Sequence, residues 1–342
     1  MTAAPRLLAV AGAVLALAAC SKPASSPEPK ATQTVNFSVL SAEDQQSMAK
    51  VWDPLFKDME KATGLTIKPF YATNYASLVE AMRFNQTQAG WFSALPALEA
   101  TRRADAQVIG RILTNGQEGS YNSVLIVKQG SNITLEDVLK CGKKLNFGIG
   151  DPKSTSGTLA PMAYIFVPHD IEPARCFKTV KSADHKANFF AVANGLLDVA
   201  TNNTIGLIFY ARENPAMAKK VKVIWQSPDL PESSIVVRKD LDPAIKEKVR
   251  QFFLSYGQAP GAEGDRQRQT LKGLAYTGFS PADNSYLDPV RQMEAATNLA
   301  EAKHSGDKAK IAAAQKAFDA LQAELSAKNP ASPPVPPVAQ AK

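Results

Sequence analysis

A chain of 342 residues, 45% apolar and 21% charged, is long enough for two ordinary domains and too apolar to be disordered throughout. Its formal charge of +7 is scattered, with no run of four Lys or Arg, which excludes a nucleic-acid footprint and leaves a mild bias toward anions. Three dispersed histidines, His169, His185 and His304, have no metal-ligand spacing, so no metal and no cofactor is implied.

In chain order, Arg6 is followed by an apolar run over 7–19, too short to span a bilayer and shaped like a signal-peptide core. It ends Leu17-Ala18-Ala19-Cys20, a bacterial lipobox pattern. The expectation is an exported chain anchored to a membrane by a lipid on Cys20 and otherwise soluble. Residues 20–33 then read as a polar, Pro-rich tether with nothing to bury. Alternation predicts a strand over 35–40, with Ser41 capping the next helix and Asp44 in the capping-box position. Further strands are predicted over 65–71, 89–92, 107–113 and 123–128, with a helix over 75–84.

A second block, from about 134 to 228, carries predicted strands over 145–149, 177–180 and 221–225, and 234–238 reads as a strand returning to the first block. Strands alternating with helices argue for an α/β fold with largely parallel sheets. Two such lobes joined by two crossings leave a cleft between them, the architecture of a type II periplasmic binding protein. The boundaries place 34–126 and 230–300 in a discontinuous first lobe and 127–229 in the second. Beyond 301 a helix to 328 carries Ile311, Ala314, Phe318, Leu321 and Leu325 at heptad-like spacing. That stripe either packs on its own domain or pairs with a second copy in a homodimer. Residues 329–342 are Pro- and Ala-rich and expected to be disordered.

The central motif is Gly148-Ile149-Gly150-Asp151-Pro152-Lys153-Ser154-Thr155-Ser156-Gly157, after a strand and before a helix-like run containing Pro161. Hydroxyls and backbone N–H groups at a helix start suit an oxyanion, and equally suit an ordinary Ser/Thr cap. The spacing fits neither a phosphate-binding P-loop nor a dinucleotide fingerprint nor a nucleophile elbow.

Four collinear stretches resemble the phosphonate-binding proteins of ABC importers. They are Phe70-Tyr71-Ala72-Thr73-Asn74-Tyr75-Ala76 through Phe84, Gly90-Trp91-Phe92-Ser93, Asn146 through Gly157, and Asp184-His185-Lys186-Ala187-Asn188 through Thr204. The resemblance spans about 35–295 and implies a substrate-binding protein, not an enzyme, that delivers its ligand to an ABC permease and its ATPase in the periplasm or cell envelope. It implies that Ser154, Thr155 and Ser156 hold the phosphorus oxyanion, with His185 and Tyr75 as further donors. Phe92 stands where the family has a Tyr, and Ile205 and Ser233 stand where members that bind aminoalkylphosphonates have acids, although Glu232, next to Ser233, could substitute there. A buried ammonium without its carboxylate is costly, so the expected ligand is small and lacks an amine: phosphite, methylphosphonate or phosphate. A hydrolase using Ser154 or Ser156 with His185 is the alternative. Cys141 and Cys176 precede two consecutive strands of one strand–helix–strand unit and are expected to form a disulfide at the sheet edge opposite the serines.

Overall fold

Short apolar runs between amphipathic helices build two sheets, and the order in which strands enter them creates the cleft. The computed structural model describes residues 33–40, 42, 45–114 and 119–328. Outside them lie the signal segment, Cys20, the tether up to residue 32, the proposed cap residues Ser41 and Asp44, and the 329–342 tail. In chain order the strands are β1 (Thr34–Val39), β2 (Thr66–Tyr71), β3 (Ala89–Phe92), β4 (Ala106–Leu113), β5 (Ser120–Tyr121), β6 (Ser123–Lys128) and β7 (Asn146–Ile149). They continue with β8 (Thr179–Ser182), β9 (Val199–Asn203), β10 (Val221–Gln226), β11 (Leu230–Pro231), β12 (Ser234–Arg238) and β13 (Gly278–Ser280).

The first sheet runs β13-β4-β12-β3-β1-β2 and the second β10-β6-β9-β7-β8. The sheets are mixed rather than largely parallel as expected. β12 returns from the second lobe without a crossover helix, so it enters antiparallel to both β3 and β4. For the same reason β6, arriving directly from the first lobe, lies antiparallel to β9. The two crossings also pair with each other: β5 and β11 form a small antiparallel ladder, Tyr121 opposite Leu230 and Ser120 opposite Pro231. The polypeptide links between the lobes are thereby stitched together.

Each lobe is organised around aromatic rings. In the first, Phe37 of β1 packs on Trp52, Phe56 and Phe253 with centroids 6.0, 5.1 and 5.8 Å away, and Trp52 reaches Trp91 of β3 at 5.4 Å. In the second, Phe147 of β7 stacks on Phe177 at 4.4 Å and meets Phe166 edge-on. That stacking explains a shifted strand. Phe177 closes the helical turn Pro173–Cys176 and turns its ring into the core, so β8 begins at Thr179, two residues after the expected 177.

After the helix Asp288–Ser305, Gly306 takes φ 66°, a left-handed stop, and the helix Lys308–Lys328 folds back along it. The stripe of Ile311, Ala314, Phe318, Leu321 and Leu325 is half-buried there. Arg291 fastens the hairpin through both guanidinium ends to Glu324, at 2.9 and 2.7 Å.

Cys141 and Cys176 are bonded, with Cα atoms 4.4 Å apart, and β7 and β8 are parallel neighbours. The bridge closes a separation of 35 residues, which in the chain-entropy view stabilises the fold by roughly 3–4 kcal/mol. Cys141→Ser should lower the unfolding free energy by about that amount in denaturant titration. No thiol of the 33–342 body should react with a maleimide under denaturing, non-reducing conditions; two reactive thiols would show the pair to be reduced.

Candidate ligand-binding site between the lobes

The motif loop turns on two glycines set back to back. A Cβ on Gly150 would lie 2.6 Å from the Gly157 Cα, and one on Gly157 would lie 2.9 Å from the Gly150 Cα. The Gly150 N–H donates to the Gly157 carbonyl at 2.9 Å, closing the loop. Hydroxyls from three strands then pin its carbonyls: Ser182 donates to Gly150 O, Ser123 to Ser156 O and Thr201 to Gly157 O, at 2.6–2.8 Å. Wide π-helical turns follow at Thr155–Leu159 and Met162–Phe166, on either side of Pro161, whose missing N–H cannot serve the regular ladder.

With the backbone fixed in this way, Ser154 and Ser156 each place their Oγ 3.4 Å from His185 Nε2. His185 opens the helix His185–Ala193, capped by Asp184, whose side chain accepts from the Ala187 N–H at 2.7 Å. Asn202 on β9 steadies that turn by donating to the His185 carbonyl at 2.8 Å. Burial pulls the His185 imidazole down to about 4, the Asp184 charge opposing, so at neutral pH the ring is uncharged.

Ser154, Ser156 and His185 line a cavity of about 60 Å³ between the lobes, together with Tyr75, Trp91, Ser93, Tyr121, Ile205, Glu232 and Ser233. That is several times the space one water needs and suits a small molecule. Ile205 contributes an apolar wall, and Ser233 donates its hydroxyl to Glu232 Oε1 at 3.0 Å. The phenol of Tyr121 is pushed well up by burial and then by the Glu232 charge, so it stays neutral.

Two expected contacts lie elsewhere. Phe92 is wholly buried in the first-lobe core and is absent from the cavity wall. Alternation along β3 is the reason: Trp91 faces the cavity, and Phe92 points to the other side of the sheet. Thr155 is also wholly buried, and its hydroxyl accepts from the Leu95 N–H of the first lobe at 2.9 Å. Three consecutive hydroxyls at a helix start cannot face one way, and the middle one turns toward the opposite lobe. Other links between the lobes are Lys153 to Glu99 at 2.5 Å, Lys186 to Ser47 at 2.9 Å and the Tyr75 N–H to Asp151 at 3.3 Å.

Glu232, named in the sequence as the acid that could substitute at Ser233, does line the cavity. It is 4% exposed, burial raises its carboxyl, and Oε2 has no partner among the described residues. No periodic pattern marks it, because it sits in a crossing segment.

Residues 37–287 match the family model described as the periplasmic substrate-binding protein of phosphonate ABC transporters. The chain is 39% identical over 262 residues to the phosphonates-binding periplasmic protein of Escherichia coli strain K12, covering 76% of each. A solved binding protein of an ABC phosphonate transporter from Pseudomonas aeruginosa superposes with a TM-score of 0.81 at 34% identity, covering 87% of this chain and 99% of that one. A Prochlorococcus marinus protein solved with methylphosphonate shares the fold at TM-score 0.67 and 19% identity, covering 76% of this chain and 97% of that one.

The lowered His185 value gives a pH dependence of stability. In the unfolded chain the ring titrates near 6.5, in the folded chain near 4, so between these values the unfolded state binds the extra proton. Stability of the ligand-free protein should therefore fall as pH falls from about 6.5 to about 4, by up to about 3 kcal/mol from this residue. Denaturant titrations of wild type and His185→Asn across that range check it: the difference between them should shrink with pH in the same window, and a constant difference would remove His185 as the cause.

Proposed function

Because the chain belongs to the phosphonate-binding family of periplasmic ABC-transporter proteins, we propose that its cavity captures a small phosphorus oxyanion and delivers it to the permease. The observation that carries this reading is the convergence of Ser154 and Ser156 on His185 at the start of a helix. Pre-positioned hydroxyls and the positive helix end hold an oxyanion with little reorganisation. Bound charge would draw a proton onto His185, so the imidazole can serve as a donor in the complex although it is neutral without ligand. Tyr75 faces the anion from the first lobe, and selectivity arises from contacts made when both lobes enclose it.

A hydrolase reading finds less support. His185 Nδ1 has no hydrogen-bond partner among the described residues, so no acid orients the ring as catalysis by a Ser-His pair requires. Binding and transport need no such group. Location in the periplasm follows from the family, and the motif ending at Cys20 supports a lipid anchor there.

Glu232 favours one ligand class over the amine-free ligands expected from Ile205 and Ser233. A buried carboxyl beside an oxyanion is stable if it carries a proton or faces a cation, and an aminoalkylphosphonate brings that cation with it. Isothermal titration with phosphite, phosphate, methylphosphonate and 2-aminoethylphosphonate decides between the classes. The amine should bind tightest and lose its advantage in Glu232→Gln; if methylphosphonate or phosphite is tightest, Glu232 serves as a protonated donor instead. In either case Ser154→Ala and Ser156→Ala should each cost at least ~1.5 kcal/mol of affinity. Unchanged affinity in the double variant would place the site elsewhere.

A further inference from the structure

Ser93 is the N-cap of the helix Ala94–Arg103 and has the extended backbone of a cap, yet its side chain makes no capping hydrogen bond. A capping serine ordinarily accepts from the second or third amide of its helix. Here the second amide, Leu95 N–H, is taken by the Thr155 hydroxyl of the opposite lobe at 2.9 Å. The third position is Pro96, which has no N–H to offer. The helix thus gives Ser93 nothing to cap, and its hydroxyl is released for another partner.

That hydroxyl is buried, at 7% exposure of the residue, and has no partner among the described residues. It lines the same cavity as Ser154, Ser156 and His185, with the positive end of a ten-residue helix behind it. An unsatisfied buried hydroxyl is costly unless something fills the space before it. We infer that Ser93 is the first lobe's oxyanion donor: its O–H donates to an oxygen of the anion whose other oxygens are held by the second-lobe serines and histidine. This rests on the oxyanion reading of the cavity and adds to it. One anion then bridges the two lobes, with a first-lobe hydroxyl from the residue that follows β3 and opens the next helix.

The test is Ser93→Gly, which keeps a residue well tolerated at a helix start and removes only the hydroxymethyl group. Wild type, Ser93→Gly, Ser154→Ala and the double variant are titrated with methylphosphonate and 2-aminoethylphosphonate, and each is melted without ligand. Ser93→Gly should keep the ligand-free melting temperature and lose affinity by at least about tenfold. Ser93→Ala should lose a similar factor. The double variant should lose less than the product of the single losses, because both donors act on one anion. Wild-type affinity in Ser93→Gly overturns the inference, as does a loss matched by an equal loss of ligand-free stability. If Ser154→Ala loses affinity while Ser93→Gly does not, the oxyanion reading stands and the Ser93 assignment falls. If wild type binds neither phosphonate, nor phosphite nor phosphate, the oxyanion reading fails first and Ser93 with it.

Discussion

The contact between Gly150 and Gly157 is the constraint on which the site depends. Only because neither residue carries a Cβ can the loop close on itself, with one backbone hydrogen bond across its neck. Once closed, its carbonyls turn inward, where Ser123, Ser182 and Thr201 satisfy them from three strands of the second sheet. The loop's backbone acceptors are thus consumed by the scaffold, and the hydroxyls of Ser154 and Ser156 remain for the cavity. An anion site needs donors in excess of acceptors, and this arrangement produces that excess from neutral groups. A methyl group at either glycine would meet the backbone of the other, so the neck of the loop could not keep this closure.

Much of this was legible in the sequence, and the misses have physical causes. β3, β6 and β12 appear over the residues that alternation predicts, because each is short, apolar and bounded by turn residues. The Ser154–Ser156 cluster and His185 come together because both motifs open helices at neighbouring strand ends. Phe92 and Thr155 were misplaced for a common reason: a motif gives the order of side chains and not the face each one takes. Strict application of period two along β3 would have put Trp91 and Ser93 on one side and Phe92 on the other. Glu232 was legible only as a substitute for the acid absent at Ser233. Its position depends on the β5–β11 ladder, a two-residue pairing with no sequence signature.

The crossing segments do more than connect the lobes. Tyr121 and Glu232 both reach the cavity from this ladder or directly beside it, so the hinge is also part of the wall. Glu232 is held by the backbone N–H and hydroxyl of Ser233 at 2.8 and 3.0 Å, which fixes one oxygen and leaves the other buried with no partner among the described residues. A wall group rooted in a connecting segment is placed by the geometry of that connection.

The direct links between the lobes have a consequence for transport. Thr155 to Leu95, Lys153 to Glu99 and Lys186 to Ser47 join the two halves directly. In a protein that binds by the lobe closure proposed above, such contacts favour the shut arrangement and so raise apparent affinity, since less of the ligand's interaction is needed to hold the halves together. Such contacts would also narrow the free-energy difference between a loaded molecule and an empty one, on which discrimination by a permease would draw. On the proposed function, the strength of these three contacts would set a compromise between scavenging at low concentration and idle docking, in which an empty carrier occupies the importer.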